Sequence, residues 1–369
     1  MLWKTVAVGL ACTLAWAQDP AQKPAGPGQK PAAQENPAEP AQPPAAVQKP
    51  AEAEQQPFRV QVNEVIIPVT VTDDQGRFVS NLEKSDFRVF DNGKEQTIRF
   101  FSRERNQPVV VGFIIDASNS TRLYWKTFRE SVLELVWNLL PGDKRYSGFL
   151  VISSTEAELA AKTSSDSEKI VEKIRALKPG GGSALFDAIH LACTRTDLVK
   201  GEPIEPRRVL IIIGDGSDNA SKYTLDQTIE LAQRSLVTIY CISTSAYGFH
   251  SEGAANLERM ASETGGRVEY PLEGVYDDVR GWLSNPSNSD DENGNYAMKV
   301  GTGSYASQIA RSIFSSIAAL TGEITTQYIL RYTPTDADNP AQYRTVKVEV
   351  PSLPNVKIRA RKGYYPFAP

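Results

Sequence analysis

Three short stretches hold the residues best suited to chemistry. Asp116-Ala117-Ser118-Asn119-Ser120 offers one carboxylate and two hydroxyls at alternate positions. Pro179-Gly180-Gly181-Gly182-Ser183 ends a glycine run on a hydroxyl, and Gly214-Asp215-Gly216-Ser217-Asp218-Asn219 sets a second carboxylate between glycines. If the three meet, the carboxylates of Asp116 and Asp215 converge with the hydroxyls of Ser118, Ser120 and Ser183, without sulfur or imidazole. Hard oxygen donors of low formal charge suit Mg²⁺ or Mn²⁺. Neutral hydroxyls leave such an ion under-neutralised, so a vacant coordination position would attract an outside carboxylate, an Asp or Glu of a protein partner. Glycines beside Ser183 and Asp215 let the backbone approach without a side chain in the way.

Each stretch needs an element to position it. Val109 to Ile115 is an unbroken apolar run, as expected for a strand buried on both faces of a parallel sheet. Further strands are expected over Gly148–Ser153, Val209–Ile213 and Val237–Ile242. Between them, Trp125, Phe128, Val132, Leu135 and Leu139 fall at helical spacing, and helices are expected near Glu168–Leu177, Ala184–Thr196, Leu225–Arg234 and Ala255–Glu263. Strands alternating with helices predict an α/β fold, a doubly wound and mostly parallel sheet with helices on both faces. Ligands in such sheets bind beyond the carboxyl ends of the strands, where Asp116 and Asp215 stand.

The flanks read as β structure. Gln61–Thr72 alternates around Val62, Val65, Ile67, Val69 and Val71, and Pro68 places that strand at an edge or on a bulge. Asp86–Phe90 and Thr97–Phe101 are expected as strands joined across Asp91-Asn92-Gly93, a hairpin signal because Asn-Gly accepts positive φ. Tyr305–Leu320 has a helical pattern; Tyr328–Tyr332, Tyr343–Val350 and Val356–Ala360 follow as strands. Neither flank has enough strands alone, so the two are expected to build one antiparallel β module. The resulting division is a β region over 58–105, the α/β domain over 106–283, a polar insertion over 284–308, and a helix with strands over 309–369 completing the β module. Asp290-Asp291-Glu292-Asn293-Gly294 invites a calcium-loop reading, but alignment on Gly294 puts Ser289 first and Val300 last, where a glutamate is required.

On these residues the chain strongly resembles the von Willebrand factor type A (VWA) domain. The metal-ion-dependent adhesion site (MIDAS) of that family runs D-x-S-x-S, then a Thr in a Gly-rich loop, then an Asp opening a T-D-G-type turn. Asp116, Ser118 and Ser120 match the first part literally, Ser183 stands at the Thr position and Asp215 at the Asp position. Ser183 keeps the ligand oxygen, whereas Gly214, in place of a hydroxyl residue, removes a supporting partner. The resemblance covers about 108–270. Its flanking motifs at 69–76 (VTVTDDQG), 82–94 (LEKSDFRVFDNGK) and 359–365 (RARKGYY) look like those of exported VWA-related proteins of acidobacteria. The resemblance implies a Rossmann-like fold and an adhesion-type, non-catalytic module. It also implies a divalent ion held by the hydroxyls of Ser118, Ser120 and Ser183, with Asp116 and Asp215 binding directly or through water.

Composition narrows the alternatives. The 369 residues carry a net charge of −4, which gives no electrostatic footprint for nucleic acid. Two histidines, His190 in a helical segment and His250 in a polar loop, leave little room for imidazole catalysis. After export only Cys193 and Cys241 would remain; a disulfide between them and two buried thiols are both open. A phosphatase of the aspartate-first type would need a carboxylate two residues after Asp116, where Ser118 stands. A structural envelope protein whose metal site only stabilises loops is the other alternative.

Residues 1–17 read as a secretory signal, with Lys4, an apolar stretch from Val6 to Ala15, and Ala15-Trp16-Ala17 as a cleavage site. The stretch is too short to span a bilayer, and no later one is apolar over eighteen residues. Residues 18–57 hold ten of the 24 prolines and no aromatic residue, the composition of a disordered, semi-rigid linker. The expected location is therefore periplasmic or extracellular. N-terminal sequencing of exported protein should begin near Gln18; an intact Met1 on cytosolic protein would contradict it.

Overall fold

The computed structural model describes residues 64–103, 107–122, 125–195, 198, 206–245, 251–273, 303–335, 339 and 341–366. The expected export signal, linker, calcium-like run and most of the polar insertion lie outside these residues. Among the described residues, no helix is long and apolar enough to cross a membrane.

Alternating Val and Ile residues form β1 (Val65–Thr72), an inner strand without a register shift rather than the expected edge or bulge. Pro68 is tolerated because its two neighbours pair with different halves of β1. One neighbour covers Val65–Val69 and the other Thr70–Thr72, so Pro68 has a ladder on one side only. The hairpin joins β2 (Arg88–Asp91) to β3 (Lys94–Gln96). Asn92 and Gly93 both take positive φ, 49° and 77°, as a two-residue primed turn requires. So tight a turn starts the return strand at Lys94, not Thr97. The expected second strand instead contributes β4 (Phe100–Ser102), which crosses to the other sheet of the module.

The α/β part follows as β5 (Val109–Asp116), α1 (Trp125–Leu139), β6 (Tyr146–Ser153), β7 (Ala157–Ser164), α2 (Glu168–Ala176), α3 (Leu185–Thr194), β8 (Arg207–Gly214), α4 (Leu225–Arg234), β9 (Val237–Ser243), α5 (Glu252–Thr264) and β10 (Val268–Glu269). The sheet order is β10-β9-β8-β5-β6-β7, parallel except for β7. Every residue of β5 is buried. Val109, Val111, Phe113 and Ile115 face a core shared with α1 and α2, while Val110 and Ile114 face the core under α3, α4 and α5. That two-sided burial explains the unbroken apolar run. Edge strands β7 and β10 were not expected from sequence: Ala157–Ser164 has one β-branched residue, and β10 has two residues.

The chain then enters α6 (Gly303–Thr326), which starts inside the expected insertion and runs past Leu320. Ile313, Ile317, Leu320 and Ile324 pack into the core with α1, so this helix belongs to the α/β layer and not to the β module. Four strands close the chain: β11 (Tyr328–Tyr332), β12 (Arg344–Glu349), β13 (Lys357–Arg359) and β14 (Gly363–Tyr364). They complete two four-stranded antiparallel sheets, β13-β1-β11-β4 and β14-β12-β2-β3. Both sheets contribute to one apolar core, with Val65, Ile67, Val69, Val71, Leu330 and Tyr332 from the first and Val89, Val346, Val348 and Tyr364 from the second.

A buried carboxylate ties these sheets together. Asp91 is fully buried; Arg344 Nε donates to its Oδ1 at 2.8 Å, and the hydroxyls of Tyr332 and Tyr364 donate to Oδ2 at 3.0 and 2.9 Å. The terminal motif seals the α/β junction: Arg359 pairs with Glu323 of α6, Lys362 with Glu263 of α5, and the guanidinium of Arg234 lies 3.8 Å from the Tyr365 ring centroid. Removing one partner of a buried ion pair strands the other charge and typically costs about 3–5 kcal/mol. Asp91→Ala should therefore lower the unfolding free energy by about that amount, while Tyr332→Phe should cost about 1 kcal/mol. Urea unfolding checks both, and equal losses would contradict the hub role of Asp91.

Candidate metal centre

The three loops meet because β5 lies between β6 and β8. Asp116 ends β5 opposite Ser153 of β6, and Gly214 ends β8 beside Ser243 of β9. Backbone hydrogen bonds lock the loops together: Ala117 N to Ser153 O at 2.7 Å, Gly180 N to Ala117 O at 2.7 Å, and Asn119 N to Gly181 O at 3.2 Å. The third loop joins through Asn219, whose Oδ1 accepts from Ser183 N at 2.9 Å and whose N–H donates to Ser183 O at 2.9 Å.

All five residues expected from sequence gather around Asp116. The Asp116 Oδ1 accepts the Ser118 N–H at 2.9 Å, and the Ser118 and Ser120 hydroxyls lie 2.7 Å apart. Ser183 is buried, its Oγ 3.4 Å from Ser153 Oγ, and its hydroxyl acts on the Asp116 carboxylate, as does the charge of Asp215. Asp215 is half-buried and its Oδ1 accepts from Ser217 N at 2.9 Å; with exposed Ser120 it marks the side open to solvent.

Asp116 is the electrostatic anomaly. It is 1% exposed, and its Oδ2 has no hydrogen-bond partner. Burial pushes its carboxyl up to about 6, and the Asp215 charge adds to this; the Ser118 N–H and the Ser118 and Ser183 hydroxyls pull the other way. Helix capping does not account for the loop. Ser118 precedes a short 3₁₀ turn without a side-chain cap bond, and α1 begins only at Trp125. The donor set therefore fits a hard divalent cation: buried oxygen atoms, one of them unpaired, beside a second carboxylate and three hydroxyls.

Gly214 has a steric reason. A Cβ there would lie 2.6 Å from Asp116 Cβ and 3.3 Å from its Oδ2, so the space of a side chain is taken by the buried carboxylate. Gly216 takes φ +81° and its added Cβ would meet the Gly253 carbonyl at 2.1 Å, which lets the start of α5 pack on the Asp215 loop. Two supporting residues escaped the sequence reading. Ser153 gave no motif signal because its role depends on strand register. Asn219 lies within the quoted loop, but its clamp on Ser183 depends on a loop 36 residues away.

The other reactive candidates are structural. His190 stacks on Tyr223 with centroids 3.7 Å apart and planes 6° apart. Cys193 and Cys241 are free thiols, and burial pushes the Cys193 thiol up to about 12 and that of Cys241 higher still. His250 lies outside the described residues.

No protein-family model matches this chain, and no curated protein matches it either. Solved structures do. The conserved hypothetical protein BatB from Bacteroides thetaiotaomicron is 16% identical over 43% of this chain and 88% of its own, with a TM-score of 0.35. The VWA domain of SpRpn10 is 14% identical over 43% of this chain and 85% of its own, with a TM-score of 0.34. Proximal thread matrix protein 1 from the mussel byssus, in a form with a zinc-occupied MIDAS motif, is 18% identical over 46% of this chain and 43% of its own, with a TM-score of 0.37. The structures to which this chain is similar thus include VWA domains.

Proposed function

We propose that this chain is an exported, non-catalytic binding module that uses a divalent cation, Mg²⁺ or Mn²⁺, to capture an Asp or Glu side chain of a protein partner. The observation that carries this reading is the buried, unpaired Asp116 Oδ2 among serine hydroxyls. Asp116, Ser118, Ser120, Ser183 and Asp215 would hold the cation, Asp116 and Asp215 directly or through water. When bound, the cation supplies a Lewis-acidic position for an incoming carboxylate. The chain's own residues do the rest: Asn219 and the glycine loop hold Ser183, Asp116 orients Ser118 through its N–H, and exposed Ser120 faces the approach side. Ser118, where an aspartate-first phosphatase needs a carboxylic acid, favours binding over phosphoryl transfer.

Calorimetric titration of Mg²⁺ or Mn²⁺ should give saturable heat with the wild type and none with Asp116→Ala; equal heats would refute the site. Capture of a partner from a native envelope extract should be lost in EDTA. Capture that survives EDTA would leave the metal a purely structural role.

The acid range gives an independent check. A folded carboxyl raised from 3.8 to about 6 holds its proton more tightly than the unfolded one. Its stabilising effect is present below the unfolded value and lost as pH rises through about 6. At pH 7 the metal-free charge thus costs on the order of 2–3 kcal/mol. Asp116→Asn should raise the metal-free melting temperature at pH 7 while abolishing metal binding. In the wild type, proton competition should weaken metal binding by about tenfold per pH unit below that range. Affinity that is flat from pH 7 to 5 would contradict it.

A further inference from the structure

A cleft of about 580 Å³ lies between helix α6 and the sheet β13-β1-β11-β4. Ala318, Ala319 and Gly322 of the helix line one side, and Thr72 of β1 with Lys357 and Arg359 of β13 lines the other. Ile358 packs on the core of the β module, so Lys357 and Arg359 share the opposite face of the strand. A cleft of this size at a junction between two folded regions can take a small molecule.

Buried Glu323 fixes the cations of the cleft. Arg359 pairs with its Oε2 and donates through Nε to its Oε1 at 3.3 Å, while Arg267 Nε lies 2.9 Å from the same Oε2. The two guanidinium groups therefore stand side by side on one carboxylate. Thr70 and Tyr240 hold Glu323 in turn, donating to Oε1 at 3.0 and 3.3 Å, and Gln327 Nε2 donates to both hydroxyls. Arg267 also places Nη2 2.7 Å from Glu269. These contacts use Nε and Nη2 of each arginine and leave Nη1 of both for another acceptor. The two side chains are 29% and 33% exposed, and both line the cleft. Lys357 is exposed and forms no ion pair among the described residues. Three cations thus meet two carboxylates, which leaves one positive charge.

We propose that this cleft binds a sugar acid of the uronate class, a single carboxylate on a hydroxylated ring. The carboxylate takes the Nη1 donors of Arg267 and Arg359 and the ammonium of Lys357, and its one negative charge equals the excess. A phosphate dianion overshoots it. Thr72, Ser80 and Thr326 bring hydroxyls to the same cleft for those of the ring. Phe78, stacked on Tyr328 with centroids 5.4 Å apart, adds an apolar wall for its C–H groups. Because Glu323 already holds the guanidinium groups, little side-chain freedom is lost on binding. The cleft shares no residue with the carboxylate–serine site.

Calorimetric titration of the full chain in EDTA tests this, with D-galacturonate, galactose, acetate and inorganic phosphate as probes. Galacturonate should bind saturably and more tightly than acetate or phosphate, whereas galactose, which lacks the carboxylate, should give no saturable heat. Lys357→Ala should weaken galacturonate binding by about fivefold, the loss of one exposed charge partner. Gly322→Leu should fill the cleft and abolish binding with the fold intact. Gly322 is exposed, a Cβ there meets no atom within 4 Å, and leucine favours a helix. The melting temperature of that variant reports its fold, and if it melts early Lys357→Ala decides alone. Trigalacturonate binding more tightly than the monomer supports a uronate within a glycan, and equal or weaker binding supports the free sugar acid. No saturable heat with either galacturonate, galactose, acetate or phosphate binding at least as tightly, or undiminished binding in either variant would overturn the assignment.

Discussion

A carboxylate sealed at the end of an inner strand needs a proton or a cation, and Asp116, 1% exposed at the end of β5, is such a carboxylate. It ends β5, the strand flanked by β6 and β8, so its loop touches the loops after both neighbours. Its side chain takes the space that a side chain at position 214 would need. The Oδ1 is committed to Ser118 N and the Oδ2 to nothing. Much of the local sequence is intelligible as a consequence: serines in place of acids limit charge repulsion, and glycines admit the backbone.

The carboxylate cluster was legible because its signals are local. An apolar run ending in an aspartate marks a buried strand and its carboxyl end together, and two such runs with a Gly-Gly-Gly-Ser loop before a helix in one α/β pattern imply convergence. The same locality explains what was misread. The Asn92-Gly93 turn was evident, but not that three residues, Thr97 to Arg99, carry the chain between sheets after β3. The α6 helix was visible by period, yet its membership of the α/β core depends on which face meets α1. Strand β7 is poor in β-branched residues and owes its place to pairing with β6. Ser153 and Asn219 take their roles from register and distant contact, which no single window of sequence contains.

The two flanking regions are one structure divided by the α/β domain. β1 carries the chain in between β11 and β13, and Asp91 from the first flank accepts hydrogen bonds from Tyr332, Arg344 and Tyr364 of the second. The terminal RARKGYY motif then sends side chains across the junction to Glu323, Glu263 and Arg234, and Tyr364 back to Asp91 within the β module.

The central claim is that the three loops form one cation site organised by Asp116. Crystals grown with Mn²⁺, with data collected near the manganese edge, test it most directly. The account predicts one anomalous peak bounded by Asp116, Ser118, Ser120, Ser183 and Asp215, absent in crystals of Asp116→Ala. No peak there in the wild type, or the same peak retained in the variant, would contradict it.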